Sequence, residues 1–209
     1  MEKLPANRIP IYIVVASLSL IVDLWSKSWA FTTYGLRHGS DWILEGFVRF
    51  RWFTSLNEGA LWGMGQGFAW FFALLSVAAF GGIVFWLFAR RGAESLWLTV
   101  SLAFVTGGTL GNLYDRLGLH GITREGSDVV IKAVRDFFHF QFGGTPANPA
   151  LDWAIFNVAD ICLVTGAIML MLQSIFAPIP PGTSDVRRTP EATADSVTKN
   201  ATKNASATA

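Results

Sequence analysis

The sequence predicts an α-helical integral membrane protein with four transmembrane helices and a small extramembrane β-sheet. Three observations support this prediction. Of the 209 residues, 52% are hydrophobic and only 15% are charged, whereas soluble domains average about 25% charged residues. Four apolar segments are each long enough to cross a bilayer, which takes about 20 helical residues. Between the first two lies a run that alternates like a β-strand.

The predicted helices cover residues 9–29, 68–89, 96–114 and 154–176. The first follows Lys3 and Arg8 like a secretory signal sequence, but no small-residue cleavage site comes after it, so we interpret it as a retained helix. The second helix contains no charged residue and stops at Arg90 and Arg91. Residues 1–176 therefore form one membrane domain.

The segment after the fourth helix differs in composition from the rest of the chain. Residues 177–209 are rich in Ala, Thr, Ser, Asn and Lys and contain no aromatic residue. Such a segment has too little apolar surface to fold on its own, so it is predicted to be a disordered tail.

The loops contain the segments predicted to form the sheet, and their basic residues indicate how the protein is oriented in the membrane. Residues 47–53 alternate apolar and basic side chains, and residues 134–142 show a weaker alternation, which predicts strands at the membrane surface. Basic residues are densest near the termini and at Arg90 and Arg91, which predicts that these parts are cytoplasmic. The two long loops would then face outward.

Unusual polar residues fall at four helix ends that share one membrane face. Successive spans alternate in direction. The same membrane face therefore holds the end of the first helix, the start of the second, the end of the third and the start of the fourth. The polar residues at these places are Asp23 and Lys27, Asn57 and Glu58, Asn112, Asp115 and Arg116, and Asn157 and Asp160.

The spacing singles out two aspartates. Asn112 and Asp115 are three residues apart, as are Asn157 and Asp160, so each pair shares a helix face. A carboxylate at membrane depth costs roughly 2.5 kcal/mol or more and is a functional candidate by default. Two close carboxylates resist ionising together, so one donates a proton while the other acts as a base, as in aspartic proteases. We expect Asp115 and Asp160 to form such a catalytic pair.

Other interpretations remain open at this point. Asp23 and Lys27 could form a structural ion pair that supports the site, and Arg116 could anchor its helix in the headgroups. A metal site is disfavoured because the three histidines are scattered in loops, and Cys162 reads as a buried apolar residue. A transporter that uses the carboxylates as a proton relay and a structural membrane subunit are the alternative functions.

Five segments in order along residues 9–176 carry the motifs of a known family. They are Asp23–Lys27, Asn57–Gly63, Gly111–Arg116, Val134–Phe138 and Phe156–Asp160. They resemble, in turn, the DxxTK, NxGAxFG and GNxxDR motifs, the strand before the fourth helix, and the FNxAD motif of the lipoprotein signal peptidase, or signal peptidase II, family. The chain departs from the family at Ser26, where threonine is usual, at Leu61 and Trp62, and by an apparent insertion at 143–150.

The resemblance implies an aspartic endopeptidase of the bacterial inner membrane, with cytoplasmic termini and a periplasmic active site. Its substrates would be prolipoproteins with a diacylglyceryl group on the lipobox cysteine, cleaved on the amino side of that cysteine. Membrane lipids would be its other partners; we expect no cofactor, no metal, no nucleic acid and a monomer.

Site roles follow from the same resemblance. Asp115 and Asp160 match the catalytic positions. The positions that match substrate-binding or supporting residues are Asp23, Lys27, Asn57, Gly59, Asn112, Arg116, Asn157 and Ala159. Apart from the resemblance, we expect the aromatic and basic strand 47–53, with Arg49 and Arg51, to clamp the lipid headgroup and the peptide.

Overall fold

The computed structural model describes residues 4–59, 68–124 and 126–176. The helices are α1 (Arg8–Tyr34), α2 (Ala69–Val84, continued by a π-helical turn, Phe85–Ala89), α3 (Leu96–Arg116) and α4 (Val158–Phe176). The strands are β1 (Val48–Asn57), β2 (Val134–Phe142) and β3 (Leu151–Asp152). The four helices are long and apolar enough to cross a membrane, which confirms the predicted fold class. The predicted disordered tail, 177–209, and residues 60–63 of the second motif lie outside the described residues.

The fourth helix begins later than the sequence predicts. The segment before Val158 is extended because its backbone bonds to β2: the N–H of Phe156 donates to the carbonyl of Phe138 at 3.2 Å, and that of Trp153 to Phe140 at 3.0 Å. Backbone pairing satisfies these polar groups without helix formation. The start of α4 is therefore fixed to the sheet.

The third helix is the most buried of the four. Its glycines let the neighbouring helices approach closely: a Cβ atom at Gly108 would collide with the carbonyl of Ala159, and one at Gly111 with the carboxylate of Asp23. Small residues at such contacts are typical of membrane helix packing. The close approach brings the polar ends of α1 and α4 within hydrogen-bonding distance of α3.

The strands form an antiparallel sheet in the order β1–β2–β3. Val48 pairs with Phe142 and Asn57 with Val134, with a bulge between Trp52 and Ser55. The first residues of β2 contact the ends of α1 and α3, since Arg135 donates its backbone N–H to Asp115 of α3 and its Nη1 to Ser28 of α1. The sheet therefore contributes side chains to the polar cluster at the helix ends.

The expected role of Arg49 is wrong. Its side chain is buried, and its guanidinium donates to the carbonyls of Gly46, Gly143 and Gly144 at 3.2, 2.6 and 3.2 Å. These donors hold a turn of the protein itself and are not free for a headgroup. Arg51 also has internal partners, because its Nε donates to His139 at 3.0 Å and its guanidinium stacks on Trp42.

Candidate active site

A cavity of about 740 Å³ lies between α2, α3, α4 and the start of β2. One part of its wall is polar and consists of Asn57, Gly59, Asn112, Arg116, Asp136 and Asp160. The rest is mostly apolar and includes residues 153–156 and, along α4, Ile161, Leu163 and Val164. A mostly apolar cavity with a few converging polar groups is the usual form of a binding site.

Asp160 lies in the cavity wall, on the first turn of α4. One carboxylate oxygen accepts from Asn112 Nδ2 at 3.0 Å, and the other accepts from the backbone N–H of Asn157 at 3.1 Å. These two donors fix the orientation of the carboxyl group in the cavity wall. The predicted pairing of Asn157 with this aspartate agrees with the geometry, whereas Asn112, which the spacing paired with Asp115, donates to Asp160.

The second carboxylate in the wall belongs to Asp136 on β2. Burial and then the charge of Asp160 raise the pKa of Asp136 to about 8, against the lowering effect of the hydrogen bond from Asn157. A carboxyl group with that pKa carries its proton at neutral pH. Asp136 can therefore donate a proton at neutral pH, and the carboxyl group of Asp160 lines the same cavity.

Asn157 connects the two carboxyl groups. Its Nδ2 donates to Asp136 at 2.6 Å, while its backbone N–H donates to Asp160. The same Nδ2 is 3.3 Å from Asn112 Oδ1. Because one residue holds both acids, their relative position depends on a single rigid point at the start of α4.

The structure does not support Asp115 as the partner of Asp160. Asp115 is fully buried and does not line the cavity. Its Oδ1 is 2.9 Å from both Nε and Nη2 of Arg135, and its Oδ2 is 3.1 Å from Lys27 Nζ. The oxygens of Asp115 bind two cations and accept a hydrogen bond from the N–H of Arg135. The carboxylate of Asp115 therefore holds β2 to α1 and α3.

The ion pair predicted between Asp23 and Lys27 is present, and it belongs to the same buried network. Lys27 Nζ lies 2.7 Å from Asp23 and 3.0 Å from Asn112 Oδ1, and the N–H of Ala159 donates to Asp23 at 2.8 Å. Lys27 thus orients Asn112, which holds Asp160. The four charges of Asp23, Lys27, Asp115 and Arg135 balance, as a buried cluster requires.

The remaining predicted residues, at the ends of β1 and α3, lie in the wall of the cavity. The N–H of Gly59 donates to Asn57 Oδ1 at 3.0 Å. Arg116 Nη2 is 3.4 Å from the carbonyl of Gly59, and the guanidinium lies over the ring of Phe72 at 5.1 Å. These groups present an amide and a guanidinium to the cavity that holds Asp136 and Asp160.

Sequence reasoning missed Asp136 and Arg135 as site residues. The signal was present, because Asp136 is a lone acid in an apolar aromatic strand. Counting only helix ends directed attention to Asp115. Because side chains alternate between the two faces of a strand, Arg135 and Asp136 lie on opposite faces of β2. Arg135 faces the ion-pair network and Asp136 faces the cavity.

Comparison with known proteins gives a consistent family. The family model described as "Signal peptidase (SPase) II" matches residues 15–176. A lipoprotein signal peptidase of Rhodopirellula baltica is 41% identical over 182 residues, which cover 85% of this chain and 77% of that protein. One of Bacillus pumilus is 32% identical over 165 residues, which cover 78% and 92%.

Two solved structures, both described as a bacterial membrane enzyme, share the fold. One superposes with a TM-score of 0.64 over 84% of this chain and 92% of that chain. The other has a TM-score of 0.63 and covers 85% and 99%. Both are 23% identical to this chain, so the likeness concerns the fold.

Proposed function

The chain belongs to the signal peptidase II family and is an aspartic endopeptidase that removes signal peptides from prolipoproteins; we propose that Asp136 and Asp160 are its catalytic pair. The observation that carries this assignment is that both carboxyl groups line one cavity and are held by Asn157. The substrate proposed is a prolipoprotein whose lipobox cysteine carries a diacylglyceryl group, cleaved on the amino side of that cysteine. Membership of this family leaves the transporter and the structural subunit without support.

The proposed chemistry gives each carboxyl group one role. Asp160 acts as the base and takes a proton from water, and the resulting hydroxide attacks the scissile carbonyl carbon. Protonated Asp136 donates to the carbonyl oxygen as charge develops on it. As the C–N bond of the tetrahedral intermediate breaks, the cysteine amine takes the proton from Asp160 and one hydroxyl of the intermediate returns its proton to Asp136. The signal peptide leaves with a new carboxyl group, and both aspartates are back in their starting states. Arg116 and Asn57 are positioned to hold the substrate backbone.

The pH dependence of cleavage tests this division of roles. Since the pKa of Asp136 is raised to about 8, its proton is present at neutral pH and is lost above about pH 8. We expect kcat/KM for a lipidated precursor to fall about tenfold per pH unit beyond that point. The measurement is a cleavage profile from about pH 5 to 10 in detergent.

The control for that profile is Asp41→Asn, because Asp41 is an exposed carboxylate outside the cavity. The variant should keep the profile of the unchanged enzyme. A rate that stays constant up to pH 10 would contradict the assignment of Asp136 as the proton donor.

We propose that the enzyme is a monomer in the bacterial inner membrane, with cytoplasmic termini and the dyad at the periplasmic face. Cysteine labelling tests this orientation in a Cys162→Ala background, whose native thiol is buried. A membrane-impermeant maleimide added to spheroplasts should label Asp128→Cys but not Arg90→Cys, both exposed positions. The reverse labelling pattern would overturn the orientation.

A further inference from the structure

We propose that Trp153 is a specificity-determining residue that contacts the ester-linked acyl chains of the substrate. This inference rests on the proposed function. It concerns the lipid part of the substrate, whereas the dyad concerns the peptide bond. The residue lines the same cavity as Asp136 and Asp160, yet the mechanism does not use it.

The direction of α4 divides the cavity into two parts. Ile161, Val164 and Thr165 line it progressively further along the helix, and therefore deeper in the membrane. Trp153 lines it on the other side of Asp160, where the chain bonds to the sheet. The substrate's signal peptide lies in the bilayer on the amino side of the scissile bond, so it occupies the deep part. The lipidated cysteine follows the bond and therefore lies on the side of Trp153.

The side chain of Trp153 suits an acyl ester chemically. It is 45% exposed, and within the described part of the chain its indole N–H has no hydrogen-bond partner. A tryptophan offers an apolar ring and one donor, which is why the residue is common at membrane interfaces. Ester-linked chains offer a carbonyl acceptor for the indole N–H and hydrocarbon for the ring. The contact between ring and hydrocarbon is the one that grows with chain length, so it is the contact that distinguishes one lipid from another.

The backbone around Trp153 is held in place by several contacts. Its N–H donates to the carbonyl of Phe140, and the preceding residue, Asp152, pairs with Gln141 in the sheet and accepts from His139 at 2.7 Å. Arg49 fixes the turn at 143–144 that leads into β3. The apparent insertion at 143–150 is thus bound to the sheet, and Trp153 is presented to the substrate from a rigid support.

The experiment compares two precursors with the same peptide and different lipids, one with two palmitoyl chains and one with two hexanoyl chains. We expect the unchanged enzyme to prefer the long-chain precursor. In Trp153→Ala, kcat/KM for that precursor should fall about tenfold, mainly through KM, while the short-chain precursor is affected much less. Trp153→Phe should keep most of the preference because it keeps a ring.

The matched control is Trp25→Ala, which removes an exposed tryptophan of α1 that does not line the cavity; it should leave the preference unchanged. An equal loss on both precursors in Trp153→Ala, with a lowered Tm, would show a merely structural role and overturn the inference. An unchanged preference would overturn it too. If the unchanged enzyme cleaves neither precursor, the proposed function fails as well.

Discussion

Replacing Asp136 by asparagine is expected to lower kcat for a lipidated precursor by roughly 10²- to 10⁴-fold, the range observed for loss of a general acid or base. Asparagine keeps the shape of the protonated carboxyl group but has no acidic proton to transfer. Asp160→Asn should have an effect of the same size because it removes the base. Both variants should bind substrate with little change in KM, since each loses an interaction made in the transition state.

The loss of cleavage activity in Asp136→Asn should not come from unfolding of the protein. The folded-state pKa of Asp136, about 8, is raised above its usual value of 3.8, so the native protein binds this proton more tightly than the unfolded chain. Between about pH 4 and 8 the unfolded chain releases this proton while the native protein keeps it, so the free energy of unfolding falls as pH rises through that range. The variant lacks this group and should have a Tm at pH 7 at least as high as the unchanged protein. A clear fall in Tm would contradict the account.

Replacing Asp115 by asparagine is expected to act on folding. The change leaves Lys27 and Arg135 with a single buried carboxylate, that of Asp23, between them. Removing one partner of a buried ion pair typically costs about 3–5 kcal/mol, so the free energy of unfolding should fall by about that amount. Denaturant titration in detergent measures it, with the exposed Asp41→Asn as a control.

The folded fraction of Asp115→Asn should still cleave. Asp115 reaches the dyad indirectly, through Lys27 and Asn112 on one side and through Arg135, which precedes Asp136, on the other. Cleavage per folded molecule should therefore fall by no more than about tenfold. A variant that is fully folded and inactive would contradict the structural role given to Asp115.

The sequence alone predicted the four transmembrane helices, because an uninterrupted apolar segment of about 20 residues is rarely anything but a membrane-spanning helix. It was also sufficient to bring Asp23, Lys27, Asn112, Asn157 and Asp160 together, since alternating spans place these helix ends at one face. Strand β2 was predicted at its observed position, 134–142.

The sequence was not sufficient to choose between the two aspartates near Asp160. Asp115 and Asp136 both lie at the same face, and the partner of Asp160 is the one that does not bind the buried cations. The guanidinium of Arg135 makes two contacts with Asp115. A side-chain pairing of this kind, across 20 residues, has no signal in composition or periodicity. The start of α4 was missed for a related reason, because the pairing of Phe156 with Phe138 is a tertiary contact.

The most direct test of the central claim compares cleavage per folded molecule in Asp115→Asn and Asp136→Asn. Both variants would be purified in the same detergent, their folded fractions measured, and single-turnover rates taken on one lipidated precursor. The assignment of Asp136 and Asp160 predicts that Asp136→Asn is folded and nearly inactive, while folded Asp115→Asn retains activity within about tenfold of the unchanged enzyme. An active Asp136→Asn beside a folded, inactive Asp115→Asn would contradict it.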